Sequence, residues 1–134
     1  MSQYVDIQVE VKSLKAAVEA LKAMGFTQEQ IQVSEPGGLP LIDYTGEIRR
    51  QDLNLRVSRE HVGRMCNDFG VRIAEDGSQV FICNWTREHA PRMLKFMQEY
   101  AVAATTECYA DQGKYVERID DKETGKVHLF VQGG

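Results

Sequence analysis

Residues 91–113 read PRMLKFMQEYAVAATTECYADQG, and this stretch does most to decide the fold class. Pro91 suits a first helical turn, where the N–H that proline lacks has no partner anyway. Gly113 can supply the left-handed residue after a helix end. Apolar side chains recur between them at the spacing of one helix face: Met93, Met97, Tyr100, Ala101, Ala104 and Cys108. The stretch therefore predicts about six turns of helix. The apolar face of this helix is expected to pack on a β-sheet.

The start of the chain predicts a strand followed by a helix. Val5, Ile7, Val9 and Val11 alternate with polar residues, which is typical of a strand with one buried face. Ser13 then suits the N-cap of a helix, because its hydroxyl can accept a free N–H of the next turn. Apolar residues follow at helical spacing and Gly25 ends the helix: Leu14, Ala17, Val18 and Leu21.

The middle of the chain predicts several short strands. Ile31 and Val33 fit a short strand, and the loop chemistry of residues 35–40 follows it. Residues 43–46 predict a turn, Asp76-Gly77 a hairpin, and residues 80–83 a strand covered on both faces. One half-buried strand is expected where apolar residues alternate with polar ones: Leu53, Leu55 and Val57.

After the long helix, residues 115–119 and 127–131 predict a final hairpin across the polar turn 120–125. Val127, Leu129 and Val131 share one face of its second strand, which leaves His128 and Phe130 on the other. The chain shows no linker or internal repeat, so residues 1–134 are expected to form a single domain. The expected fold class is α+β: an antiparallel sheet with two helices on one face, in a ferredoxin-like or related two-layer sandwich.

Composition excludes several classes of function. A net charge of −4 argues against general affinity for nucleic acid, and no apolar run approaches the length of a membrane span. The N-terminus lacks the basic and apolar regions of a signal peptide. The three cysteines form no Cys-x-x-Cys pair, so a reduced, cytoplasmic protein is expected.

The order of motifs resembles an uncharacterised bacterial, cyanobacterial and plastid family, typified by the hypothetical chloroplast reading frame thirty-five (domain of unknown function twelve fifty-seven). The resemblance runs over most of the chain, with Trp85 after the central hairpin. It rests on these segments: Met1 to Tyr4, Ala20 to Phe26, Tyr44 to Gly46, Asp52 to Leu55, Asn67 to Gly70, Glu75 to Gly77, Gln98 to Ala101, and Gln112 with Gly113.

The resemblance implies a fold and an accessory role, but no established activity. Genes of this family often lie near one for an AAA-type ATPase, which implies that ATPase as a partner. The chain departs from the family at two places: Gln3 stands where members tend to carry His, and Gln132-Gly133-Gly134 ends the chain where members tend to be basic and aromatic.

Three candidate chemistries can be read from single residues. His61, Cys66, Cys83 and His89 are the one set that could ligate a metal, but their spacing lacks the close pairs of a zinc site. Cys66 with His61 or His89 could form a thiolate–imidazole pair, although no known nucleophile motif surrounds Cys66. Cys83 and Cys108 are expected to be small residues of the core. The terminal Gly133-Gly134 could present a carboxylate, as in sulfur-carrier proteins.

The preferred interpretation is a non-enzymatic accessory or adaptor domain that acts by protein contact, without a cofactor or metal. Residues 47–72 carry six arginines against four acids, and arginine suits forked contacts to carboxylates or phosphates. The residues expected to bind a partner are therefore Arg56 and Arg72, as exposed arginines, with His128 and Phe130. A homo-oligomer is left open.

Overall fold

The computed structural model describes residues 6–9, 11–63, 65–82 and 91–133, with the backbone alone for 6–9. A 3-10 turn, Gln28–Gln30, precedes the second strand. The helices are α1 (Leu14–Ala23), α2 (Arg59–Val62) and α3 (Arg92–Ala110). The strands are β1 (Asp6–Val9), β2 (Ile31–Val33), β3 (Leu39–Ile42), β4 (Ile48–Leu53), β5 (Leu55–Val57), β6 (Phe69–Ala74), β7 (Gly77–Phe81), β8 (Tyr115–Asp120) and β9 (Val127–Gln132).

A five-stranded antiparallel sheet in the order β1-β7-β6-β5-β2 forms the centre of the molecule. The predicted turn at Asp76-Gly77 is confirmed, since Ala74 pairs with Gly77 where β6 and β7 join. Val80 and Phe81 are both buried although they point to opposite faces of β7. The expectation of a strand covered on both faces is therefore confirmed for residues 80 and 81, whereas β7 ends at Phe81 and Cys83 lies outside the described residues.

The local signals of α1 act as the sequence predicted. Ser13 lies in extended conformation, and its hydroxyl accepts the N–H of Ala16 at 3.0 Å. Gly25 has a φ of +107° just beyond the helix, and the N–H of Phe26 bonds back to the carbonyl of Leu21.

Helices α1 and α3 pack together on one face of the central sheet. The buried residues of α1 include three alanines, whose small side chains let α1 pack closely against its neighbours. Phe96 of α3 contacts Phe69 of β6, with the ring centroids 5.1 Å apart. The core between them is one cluster that includes Ala17, Leu21, Leu55, Val57, Val71, Val80 and Phe96. The α+β class, with two helices on one face of an antiparallel sheet, is confirmed; the narrower ferredoxin-like term stays a prediction.

The strand pair β3–β4 lies against the opposite face of the sheet. Leu41, Leu53 and Phe81 form a second small core there. Gly70 of β6 makes this close approach feasible, because a Cβ added to it would lie 2.5 Å from Cδ1 of Leu53. The guanidinium of Arg50 lies 4.6 Å from the centre of the Phe81 ring and covers the same cluster.

The single strand predicted over Leu53, Leu55 and Val57 is wrong, because the chain bends at Asn54 and leaves one sheet for the other. The amide nitrogen of Asn54 donates to the carbonyls of Ser34 and Glu35, and its amide oxygen accepts the N–H of Ile73 at 2.8 Å. The side chain thus replaces the ladder hydrogen bonds that a straight strand would make. Leu53 joins the second core, whereas Leu55 and Val57 join the first.

The long helix α3 exists where predicted, but its buried face is rotated from the predicted one. Met93 and Phe96 are buried as expected of apolar residues, and so is the carboxylate residue Glu99. Met97 and Cys108, which were assigned to the buried face, are exposed. The prediction for Cys108 as a core cysteine is therefore wrong.

Candidate protein-docking face

The last two strands form a hairpin that does not join the central sheet. β8 and β9 pair antiparallel over their full length, from Tyr115 opposite Gln132 to Asp120 opposite Val127. Alternation along this register gives the hairpin two distinct faces. The inner face, which includes Arg118 and Leu129, lies toward α3.

The outer face of the hairpin is open to solvent and is defined here by six side chains: Tyr115, Glu117, Ile119, His128, Phe130 and Gln132. Three of the six are large and apolar. Tyr115 is 66% exposed, Phe130 52% and Ile119 46%. Ile119 lies opposite His128, and Glu117 opposite Phe130, so these side chains are direct neighbours across the strands. The prediction that His128 and Phe130 share an exposed face is confirmed.

An ion pair between Glu99 of α3 and Arg118 of β8 fastens the hairpin to the helix. Two guanidinium nitrogens of Arg118 donate to the two carboxylate oxygens of Glu99, at 2.6 and 2.7 Å. Such a forked pair fixes orientation as well as distance. The Glu99 side chain is 2% exposed and that of Arg118 is 32% exposed. The carboxylate therefore depends on its partner for charge compensation far more than the guanidinium, which water also reaches.

The charges around this pair shift both pKa values in the direction that keeps it ionised. The hydrogen bonds from Arg118 lower the pKa of Glu99 against the opposing effect of burial, and Lys95, 3.4 Å away, lowers it further. Glu99 and Asp120 in turn raise the pKa of Arg118. The pair is therefore charged across the ordinary range of pH.

The hairpin turn is fixed by its own residues and by α3. The carboxylate of Asp121 accepts the N–H groups of Glu123 and Thr124, a pattern that aspartate favours in turns. Gly125 has a φ of +73°, and its carbonyl accepts a hydrogen bond from the side chain of Gln98 at 3.0 Å. The turn and the helix thus hold the outer face at a fixed angle.

Exposed apolar side chains are concentrated in this part of the molecule. The described residues include nine large hydrophobic side chains that are exposed. Six of them belong to α3, β8 or β9: Leu94, Met97, Tyr115, Ile119, Phe130 and Val131. Three of the six, Tyr115, Ile119 and Phe130, share the outer face of the hairpin, whereas Val131 points to its inner face and Leu94 and Met97 lie on α3. Several exposed apolar side chains on one face are typical of an interaction surface, whereas single ones are ordinary.

The two arginines that were expected to be exposed are bound within the protein. Arg56 is 11% exposed, and its Nε donates at 2.7 Å to Asp68, whose side chain is fully buried. Asp68 also accepts the backbone N–H groups of Ile42 and Arg59, so it joins β3, β5 and α2 at one point. The expectation of an exposed Arg56 is wrong, because a buried carboxylate requires it as a counter-ion.

Arg72 is also engaged internally. Its guanidinium lies 3.1 Å from Asp52 and bonds to Gln79 at 3.2 Å, while its side chain stays 26% exposed. Asp52 has a lowered pKa, chiefly because Arg50 donates to it. Most of the described arginines of the segment 47–72 are thus paired with carboxylates of the same protein.

Asp43 is a further buried carboxylate that the sequence did not single out. It accepts hydrogen bonds from the backbone and hydroxyl of Thr45 and from Arg49, and it is 1% exposed. Although burial acts to raise its pKa, these hydrogen bonds together lower it to about 2. Residues 43–46 form the predicted turn, and Asp43 holds it closed.

The described residues do not assemble the candidate metal set, and the pairing of Cys66 with His61 stays a prediction. Cys66 is buried, whereas the ring of His61 has one nitrogen 3.4 Å from the Gln30 amide and the other 4.0 Å from Glu60. Cys83 and His89 lie outside the described residues. Within residues 6–82 and 91–133, apart from the gaps given above, no group of three histidine, cysteine or acidic side chains could hold a metal ion.

Only one residue of the diglycine terminus, Gly133, is described by the structure. Gly133 is exposed just after β9, and a Cβ added to it would meet no atom within 4 Å. Gly134 lies outside the described residues. The carrier interpretation therefore stays a prediction.

Comparison with protein-family models, curated proteins and solved structures finds no match for this chain. The resemblance to the plastid and bacterial family accordingly stays a prediction. Among the described helices, none combines the length and apolar character needed to cross a membrane.

Proposed function

We propose that this protein is a non-enzymatic accessory domain that binds another protein through the outer face of the β8–β9 hairpin. The observation that supports this proposal is the three exposed apolar side chains Tyr115, Ile119 and Phe130 on one face of a hairpin that the Glu99–Arg118 pair joins to α3. Aromatic side chains of this kind bind well because they bury a large area with few rotatable bonds.

The side chains of the face define the chemistry of the partner. Tyr115, Ile119 and Phe130 require an apolar surface on the other protein. Glu117 lies among them, so a lysine or arginine beside that apolar surface gives charge complementarity. A phosphate backbone is a poor fit, because Glu117 repels it and the described arginines of the middle segment already contact carboxylates or carbonyls.

The family resemblance supplies the class of partner, an AAA-type ATPase. This part of the proposal rests on the resemblance alone. An adaptor for such an ATPase is expected to bind one nucleotide state more tightly than another, since only differential affinity couples binding to a conformational cycle.

The test is affinity capture of the tagged protein from its native lysate, with and without ATP, using matched variants. Phe130→Glu places a charge in the centre of the face, and Ile48→Glu is the control, because Ile48 is equally exposed (59%) but lies on β4. We expect a stoichiometric protein to be retained by wild type and Ile48→Glu, and to fall at least about tenfold with Phe130→Glu.

Two results contradict the proposal. One is a wild-type protein that captures nothing in stoichiometric amount under either condition. The other is a captured protein that Phe130→Glu retains as well as Ile48→Glu does. Circular dichroism of each variant shows that the fold is intact before capture.

A further inference from the structure

Among the described residues, none pairs with the outer edge of strand β9. In the described part of the chain β9 pairs only with β8. Its residues, Val127–Gln132, include neither an acidic residue nor a lysine or arginine, whereas β8 carries three charged residues. Natural edge strands are normally blunted by charge, proline or a bulge, and a two-stranded hairpin by itself is only marginally stable. The edge of β9 is therefore suited to pair with a further strand.

Helix α3 carries an uncharged row of residues that no described element covers fully. The row consists of Leu94, Met97, Ala101, Ala104 and Cys108. Leu94 is 76% exposed and Met97 is 43% exposed. The steps between successive members are three, four, three and four residues, which is the spacing of a helix–helix seam.

The middle of the seam meets β9 in one groove, whereas Ala104 and Cys108 line a separate groove beside Lys12 and Ser13. Ala101 lies at the middle of the seam, and Leu129 lies near the middle of β9. Both line a groove of about 510 Å³ between α3 and β9, together with Gln98, Val102, Thr105, Lys126, Val127 and His128. A single two-fold axis beside this groove therefore passes close to the centres of both elements.

We propose that two copies of this chain associate about such an axis, with β9 pairing antiparallel to its own copy and the α3 seams packing antiparallel. Leu129 then lies opposite itself and His128 opposite Phe130 of the second copy, so side chains keep to their own faces. Residue 94 of one seam lies opposite Cys108 of the other. The two hairpins become one four-stranded sheet with α3 helices on its inner face.

The occupant is a second copy because both elements are complementary to themselves under the same operation. An isologous interface requires each surface patch to match its own rotated copy. β9 matches about Leu129, and the seam matches about Ala101 at its first, middle and last members, with Met97 and Ala104 one residue out of register. Neither element brings a charged residue against its copy. A different protein would have to supply an unpaired strand and a helix seam of the same spacing together. This inference does not depend on the proposed partner protein.

The first test is sedimentation velocity on the purified chain, with Ala101→Glu as the disrupting variant. The two-fold axis places the introduced carboxylates close together, so we expect the dimer dissociation constant to rise at least about tenfold. Ala110→Glu is the control, because Ala110 is an exposed alanine of the same helix that lines the groove toward α1 instead. We expect this control to leave the dissociation constant unchanged within about twofold.

The second test is a cross-link that only the antiparallel seam allows. Cys108 lies seven residues from Ala101, about 10 Å along the helix, so the two native Cys108 thiols are about 20 Å apart and too distant to bridge. Leu94→Cys places a thiol opposite Cys108 of the second copy. Mild oxidation should therefore give a covalent dimer with Leu94→Cys but not with wild type.

A wild-type chain that remains monomeric at about 100 μM overturns the proposal, since a specific dimer of this kind is expected to associate at micromolar concentration. So does a dimer that Ala101→Glu and Ala110→Glu affect equally. A non-covalent dimer in which Leu94→Cys cross-links no better than wild type overturns the antiparallel seam.

Discussion

Removing Arg118 should release the β8–β9 hairpin from α3, and the cost can be worked out from the geometry of its ion pair. Leaving a buried charge without its partner costs about 3–5 kcal/mol. Arg118→Met leaves the carboxylate of Glu99 almost fully buried, but Lys95 remains 3.4 Å away and compensates in part. We therefore expect Arg118→Met to destabilise the hairpin by about 2–3 kcal/mol.

Substitution of the other member of the ion pair, Glu99, should destabilise the hairpin less. Glu99→Met leaves a guanidinium that is 32% exposed and still bonded to Asp120 at 3.0 Å, so water and Asp120 satisfy it. We expect a loss below about 1 kcal/mol. In the double variant no buried charge is left unpaired, and the double-mutant cycle should give a coupling energy of about 2 kcal/mol.

The suitable assay is native-state hydrogen exchange of the amides of β8 and β9, because the hairpin can open locally without unfolding the central sheet. A loss of about 2 kcal/mol corresponds to about thirtyfold faster exchange. Asp120→Asn is the matched control: its carboxylate is 56% exposed, so exchange should change less than about threefold. An Arg118→Met variant that behaves like that control contradicts a buried, partner-dependent Glu99. So do effects of Arg118→Met and Glu99→Met that simply add.

Three further substitutions test the interior. Arg56→Gln should lower the free energy of unfolding by about 3 kcal/mol in urea titration, because its buried carboxylate partner loses its counter-ion; an unchanged midpoint contradicts this. The pKa of Asp43, about 2 in the folded protein against 3.8 in a model peptide, should add about 2 kcal/mol of stability at neutral pH. This stability is present above the unfolded pKa and lost as pH falls from about 4 to 2, and Asp43→Asn should remove that dependence. Gly70→Ala should cost about 1–3 kcal/mol because its Cβ meets Leu53, whereas Gly133→Ala, with free space around it, should be neutral in the same denaturation assay.

Local chemistry in the sequence was sufficient to predict most elements. Ser13 and Gly25 mark the start and the end of α1. The Ser13 hydroxyl at the N-cap and the left-handed conformation of Gly25 each satisfy backbone groups within a few residues. The same holds for the turn before Gly77 and for the alternation that places His128 and Phe130 on the outer face. These features depend only on neighbours close in the chain.

The sequence misplaced residues whose role is decided by partners far along the chain. Asn54 is polar and lies in an alternating run, and only the carbonyls of Ser34 and Glu35 show that it ends one strand and starts another. Glu99 was not among the residues placed on the buried face of α3, and a glutamate is normally solvated, yet the ion pair with Arg118 makes its burial tolerable.

The proposed docking face shows both contributions. The sequence by itself determined that β8 and β9 form a hairpin with His128 and Phe130 on one side, since a period of two follows from the geometry of any strand. Only the tertiary structure decided that this hairpin stays outside the central sheet, with that side uncovered by any of the described residues. It also decided that Arg56 is only 11% exposed while Tyr115 is 66% exposed. Burial and ion pairing depend on which distant elements come into contact, and that information is not contained in the local pattern of residues.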